Sequence, residues 1–306
     1  MSQNRGMTDN KIYVPQSATE PLASLLNTLR LKRLGNSSYL GETNLPQLSG
    51  RVYGGQVLAQ AVMAASDTFK ELDKRPIHSQ TAAFLAAGDV EKPIAFEVEV
   101  ISDGRSFSTR LIHARQDNKI IFTARGSFQH TQPGVEHEDT APDVPGPENF
   151  PSSVDLFASV DHPAARFMSS TNSLDMRHVD EQIYLRPSKT VQPTIHIWFK
   201  TRSPIPAEAS QTLKRAVLAY AADQFMLEPI LHNHGLSWST PGIALATLDH
   251  TTWWHRDVDP SSWILAEAHS PSAQGGRGLT LAKFYQNGDL VATMAQEAMV
   301  RSPNIT

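Results

Sequence analysis

The chain has 306 residues, 40 % of them hydrophobic, with no cysteine and with 27 basic against 31 acidic side chains for a formal charge of −4. That length and balance suit a soluble globular protein of two domains, and they argue against a fibrous or disordered class. They also exclude disulfides, thiolate nucleophiles and cysteine-based zinc sites, and leave no overall positive field to draw in nucleic acid or a membrane surface.

Residues 1–21 are polar and read as a loose segment without an apolar signal core. The folded body starts at Leu22, where Leu22, Leu25, Leu26, Leu29 and Leu31 mark a short packed helix or turn. Gly54-Gly55 precedes a helix over Val57 to Phe69, and the glycines allow close backbone approach at its N-terminus. Phe96 to Val100, Phe107 to Ala114 and Ile120 to Phe128 alternate as strands, completing an N-terminal unit over 22–130. Five prolines and five acidic residues between Pro133 and Pro151 make 131–193 a linker.

The C-terminal unit, 194–306, opens with a strand from Thr194 to Thr201. A helix follows from about Ala207 to Leu227, with Ser210 to Leu227 its clearest part. Gly242 to Thr252, Trp263 to His269, Leu279 to Gln286 and Leu290 to Val300 read as strands, and Asn287-Gly288 is a strong hairpin turn. No apolar run approaches the roughly 20 residues of a membrane span.

The two units read as one pattern written twice. Gly104-Arg105-Ser106-Phe107 through Gly126 lines up with Gly276-Arg277-Gly278-Leu279 through Gln296, and the helix around Gly55 to Ala61 with that around Arg215 to Ala221. Helix, strand and strand pair, twice, predict an α+β double hotdog: two helix-wrapped antiparallel sheets joined edge to edge into one pseudo-dimeric sheet. In this alignment Met63, His78 and Gly126 occupy the places of Asp223, Thr247 and Gln296.

Those three second-half residues are polar groups on apolar faces. Asp223 has Ala219, Tyr220, Met226 and Leu227 one turn away, and a buried carboxylate costs several kcal/mol unless hydrogen-bonded. Gln296 shares strand parity with Ala292, Met294 and Ala298; Thr247 shares it with Ile243 and Leu245. A lone inward Thr or Gln is usually satisfied by backbone, but three in one half, absent from the matching positions, point to a mutual network and to chemistry in the second repeat. His232, His234, Asp249, His250 and His255 match no zinc spacing, and the His-x-His reads as a solvated loop pair. Gly275-Gly276-Arg277-Gly278 is a flexible corner whose amides and Arg277 suit a phosphate. No Gly-x-Ser-x-Gly elbow is present.

From about Leu25 to Arg301 the chain resembles the acyl-CoA thioesterase II family of double-hotdog enzymes. The resemblance is carried by Val52-Tyr53-Gly54-Gly55-Gln56-Val57, His78-Ser79 through Phe84-Leu85, Asp103-Gly104-Arg105-Ser106-Phe107, Tyr220-Ala221-Ala222-Asp223, Ala246-Thr247-Leu248-Asp249-His250 and Gln296-Glu297. The chain departs from relatives in Ala86-Ala87, where Arg-Pro is common, and in Ala298, where glycine is usual. The resemblance implies hydrolysis of fatty acyl-CoA to free acid and CoA by a water that Asp223, Thr247 and Gln296 activate, with no metal or other cofactor. The expected oxyanion donors are amides near Gly54-Gly55 or Gly275-Gly276, and the expected CoA contacts include Arg105 and Arg277. The expected partner is acyl-CoA, the expected assembly a homo-oligomer (a dimer or tetramer of double hotdogs) and the expected location cytoplasmic; a peroxisomal place would want a C-terminal Ser-Lys-Leu type signal, which Asn304-Ile305-Thr306 is not. The rival readings are a non-catalytic acyl-CoA or acyl-carrier binding protein and a hotdog enoyl-CoA hydratase, for which Gly88-Asp89 lacks a suitably placed histidine.

Overall fold

A computed structural model describes residues 20–43, 50–70 and 74–302; residues 1–19 of the segment expected to be loose lie outside the described residues. In chain order the elements are α1 (Leu22–Leu29), β1 (Lys32–Arg33), β2 (Ser38–Gly41), α2 (Gly54–Ser66), β3 (Ile77–Phe84), β4 (Ile94–Asp103), β5 (Phe107–Gln116) and β6 (Lys119–Gln129). Then come α3 (Ser153–Ala158), α4 (Pro163–Thr171), β7 (Leu174–His178), β8 (Thr194–Thr201), α5 (Gln211–Ala222), α6 (Glu228–Asn233), β9 (Ala244–Trp254), β10 (Ile264–Gln274), β11 (Arg277–Gln286) and β12 (Asp289–Arg301).

Two helices without an exposed face lie at the centre. Every residue of α2 from Gly55 to Ser66 is buried, and so is every residue of α5 from Ala216 to Ala222. Such all-round burial marks a core helix, and the alanines at 59, 61, 64, 65, 216, 219, 221 and 222 let the two approach closely. α5 starts cleanly because Ser210 caps it, accepting a bond from the Leu213 amide at 3.2 Å. Tyr53 ties the helices together, donating its hydroxyl to the carbonyl of Tyr220 at 2.9 Å.

Twelve strands form one antiparallel sheet in the order β1-β2-β4-β5-β6-β3-β9-β12-β11-β10-β8-β7. The halves meet at β3 and β9, paired from Ser79 with Trp253 to Ala83 with Asp249. Inward side chains alternate with outward ones, as in β12, where Ala292, Met294, Gln296 and Ala298 are buried. This is the expected double hotdog.

The internal repeat is visible in the hairpins. Asp117-Asn118 and Asn287-Gly288 turn β5 into β6 and β11 into β12 with positive φ at both central residues, and the ladders shift register just after Ala114 and Phe284. Counting from these turns, Arg110 matches Thr280 and Gly126 matches Gln296. The same pairing sets Ile77, opposite Phe128, against Thr247, opposite Ala298. The sequence alignment of His78 with Thr247 is therefore one residue out: a residue skipped in each ladder, His78 in β3 and Leu248 in β9, hides the slip. Arg105 and Arg277 are also not equivalent, because the β4–β5 loop spans Asp103 to Ser108 whereas Gln274 pairs directly with Arg277 across Gly275-Gly276.

Two further expectations are corrected. The helix drawn to Leu227 stops at Ala222: the following amides, Gln224 and Phe225, turn back to the carbonyls three residues earlier at 3.2 Å, and α6 then starts with Pro229 in its first turn. The segment 131–193 is more than a linker, since it contains α3, α4 and the edge strand β7. Its first part straps the second half: Glu138 accepts bonds from Arg256 and from the Leu290 amide at 3.1–3.2 Å, Asp139 pairs with Lys283 at 2.6 Å, and Trp198 donates to the Pro145 carbonyl at 3.0 Å. Among the described residues no helix is long and apolar enough to cross a membrane.

Candidate active site

The early end of α5 sets the site. Asp223 is the C-cap residue of that helix rather than an interior one, so its side chain reaches past the last turn toward the N-terminus of α2 in the other half. A carboxylate is favoured there, because the first amides of a helix lack internal partners and the dipole is positive. Gly54 and Gly55 open α2, and a β-carbon on Gly55 would stand 2.5 Å from the Tyr53 ring and 2.6 Å from the Tyr220 carbonyl oxygen. Only glycine permits this approach.

Thr247 donates its hydroxyl to Oδ1 of Asp223 at 3.4 Å, and Gln296 donates Nε2 to the Thr247 oxygen at 3.0 Å. Burial pushes the Asp223 carboxyl up to about 6, against the Gly55 amide and the side chains of Gln296 and Thr247, which hold it down. A group titrating there is ionised near neutral pH yet basic enough to accept a proton. Among the described residues of the first half, Asp67, at the corresponding end of α2, is instead buried against Arg33 at 2.7 Å.

Thr247 enters the network through a bulge. Inward residues of β9 are His250, Thr252 and Trp254, all at even positions, and Thr247 would face outward if β9 ran regularly. The ladder with β12 skips Leu248, pairing Glu297 with Asp249 and Ala298 with Thr247, and this switches the face. The bulge also brings in His250, which sequence parity left out of the site. His250 and Thr280 flank Gln296 on the neighbouring strands and are 1 % and 0 % exposed. Thr280 alternates with Ala282 and Phe284 and was legible from parity; His250 was not.

Of the remaining expected residues, Gly276 and Arg277 lie near the site and Arg105 does not. Arg277 pairs with Met299, and Met299 with Ala246, one rung from Thr247. Its side chain is on the outer face, bonded to Glu297 at 3.2 Å. Arg105 sits beyond the Phe107 end of β5, past Ile77, at the opposite end of the sheet, on the order of 25 Å along the strands at about 3.3 Å per residue. The histidines disperse: His232 is buried on α6 rather than solvated in a loop, His255 bonds Thr293 at 2.9 Å, and His234 is exposed. Among the described residues no three metal-ligating side chains converge.

Two family models match this chain: an acyl-CoA thioesterase N-terminal domain over residues 44–129 and an acyl-CoA thioesterase C-terminal domain over 138–300. Acyl-CoA thioesterase 2 of Haemophilus influenzae is 33 % identical over 285 residues, covering 92 % of this chain and 98 % of its own. Human acyl-coenzyme A thioesterase 8 is 31 % identical, covering 82 % and 81 %. Among solved structures, the acyl-CoA thioesterase II TesB2 of Mycobacterium marinum superposes with a TM-score of 0.75 at 31 % identity, covering 92 % of this chain and 99 % of that one. A tesB protein of Mycobacterium avium subspecies paratuberculosis gives 0.75 at 29 %, covering 92 % and 100 %.

Proposed function

Because the chain belongs to the acyl-CoA thioesterase II family and is a thioester hydrolase, we propose that it cleaves fatty acyl-CoA with a water that Asp223 deprotonates in the second repeat. The carrying observation is the buried carboxyl of Asp223, raised to about 6 and tied through Thr247 to Gln296.

In this reading the water oxygen attacks the thioester carbonyl while its proton passes to Asp223. The carbon–sulfur bond of the tetrahedral intermediate then breaks, and Asp223 returns the proton to the CoA sulfur, leaving free acid and thiol. Thr247 and Gln296 do not take the proton; they fix the carboxylate so that its second oxygen, the one facing Gly54, addresses the water. Negative charge on the carbonyl oxygen is met by the positive end of α2 beside Gly54, the Gly55 amide itself being taken up by Asp223. Arg277, on the same end of the sheet as Thr247, is the better placed arginine for the CoA phosphates.

The test is release of CoA from a fatty acyl-CoA, read with a thiol reagent, for the wild type and for Asp223→Asn. Release by the wild type and loss of about 100-fold or more in the folded variant support the assignment. Near-normal turnover by the variant overturns it.

A further inference from the structure

Gln296 carries one amide that has to face the right way. Its Nε2 donates to Thr247, leaving the hydroxyl proton of Thr247 for Asp223. With the amide turned over, Oε1 would compete for that same proton and draw the hydroxyl away from the carboxylate. The orientation therefore needs a partner for Oε1, and neither Thr247 nor Asp223 supplies one.

Two flanking residues have the chemistry to do so. On the inner face, Thr280 of β11, Gln296 of β12 and His250 of β9 stand in one row of cross-strand neighbours, where β-carbons of opposed residues are about 5 Å apart. Each presents a fully enclosed polar atom without a protein partner: Oγ1 of Thr280, Oε1 of Gln296 and Nε2 of His250. Nδ1 of His250 lies 3.4 Å from the Thr252 hydroxyl. With that hydroxyl donating to Nδ1, the proton of the neutral ring sits on Nε2, and burial holds His250 down to about 4, so the ring stays neutral. Two donors then flank one orphan acceptor. In the first repeat the corresponding row is Arg110, Gly126 and Gln80; Arg110 there is bound to Asp103 at 2.8 Å and to Thr68 at 2.8 Å, and glycine stands in the place of Gln296, so no amide faces a hydroxyl and a carboxylate there.

We infer that Thr280 and His250 are positioning residues: flanking donors with no other protein partner for these atoms, they favour the Gln296 orientation that turns Oε1 toward them and keeps Nε2 on Thr247. The inference rests on the reading of Asp223, Thr247 and Gln296 as the hydrolytic set. Neither residue touches the reacting atoms; both act through Gln296.

Thr280→Val keeps the shape and removes the hydroxyl, and Thr280→Ser restores it. CoA release should show kcat down about tenfold for the valine variant with KM within about twofold, and the serine variant should recover to within about twofold of wild type. His250→Leu should lower kcat similarly and His250→Gln recover part of it; the isosteric threonine pair keeps the test sharp if the histidine variants do not fold. On a Gln296→Ala background, Thr280→Val should cost less than about twofold, because its route is already cut. Unchanged kcat in folded Thr280→Val, failure of serine to rescue, or the same tenfold loss without Gln296 would overturn the inference. Asp223→Asn run alongside separates the two readings: an inactive Asp223→Asn with a fully active Thr280→Val defeats the positioning role alone.

Discussion

A β-carbon on Gly54 would stand 2.8 Å from Oδ2 of Asp223, closer than such contacts occur, so the first repeat reserves space for the carboxylate of the second. Gly54 is in an ordinary helical conformation, and alanine favours a helix by about 1 kcal/mol over glycine. Gly54→Ala should therefore leave the melting temperature unchanged or raised while displacing Asp223, with kcat falling roughly 10- to 100-fold. A melting curve and CoA-release kinetics on the same preparation check both halves of this expectation.

The pH profile should follow the carboxyl. Asp223 works as a base only when ionised, and burial sets it to about 6. Turnover should fall on acidification with an apparent midpoint near that value, measured as log kcat/KM against pH. A profile flat down to pH 5 would contradict the role.

Stability should run the opposite way from activity. The folded protein holds the Asp223 proton more tightly than the unfolded chain does, so between the ordinary carboxyl range and about 6 the native state binds more protons. Stability from this group is then full at low pH and lost as pH rises through about 6. At roughly 1.4 kcal/mol per pKa unit the loss is a few kcal/mol. Asp223→Asn should unfold at higher denaturant than wild type at pH 8, with the gap closing toward pH 4.

The repeats should be unequal. Gln296→Ala should lower turnover strongly, whereas His78→Ala should leave substantial activity, because His78 lies about 20 Å along the strands from Thr247 at 3.3 Å per residue and its structural counterpart is Leu248. Turnover per chain for the two folded variants is the measurement.

The hairpin arginines should separate in the same manner. Arg277→Ala should raise KM for acyl-CoA several-fold with kcat little changed, and Arg105→Ala should change neither, since the two lie at opposite ends of the sheet. Equal effects would place the CoA differently.

Local chemistry was legible in the residues themselves. Strand alternation put Gln296 inward, the Asn287-Gly288 dipeptide placed its hairpin turn, and Thr194 to Thr201 has the same limits as strand and as sequence pattern. Each depends on side-chain period or turn dihedrals within a few residues, so a linear reading suffices. The repeat was legible for the same reason, as were the three polar residues of the candidate site.

What the tertiary structure decided is how distant segments register. The skipped Leu248 turns Thr247 and His250 onto one face, although their numbers have opposite parity, because a bulge is defined by the partner strand and not by the strand that carries it. The end of α5 at Ala222, against a pattern that runs helical to Leu227, frees Asp223 to reach α2. The antiparallel joining of β3 to β9 sends Arg105 and Arg277 to opposite ends, while α2 of one half meets Asp223 of the other. Sequence states which residues prefer to be inside; only the packing of the two halves states which of them meet.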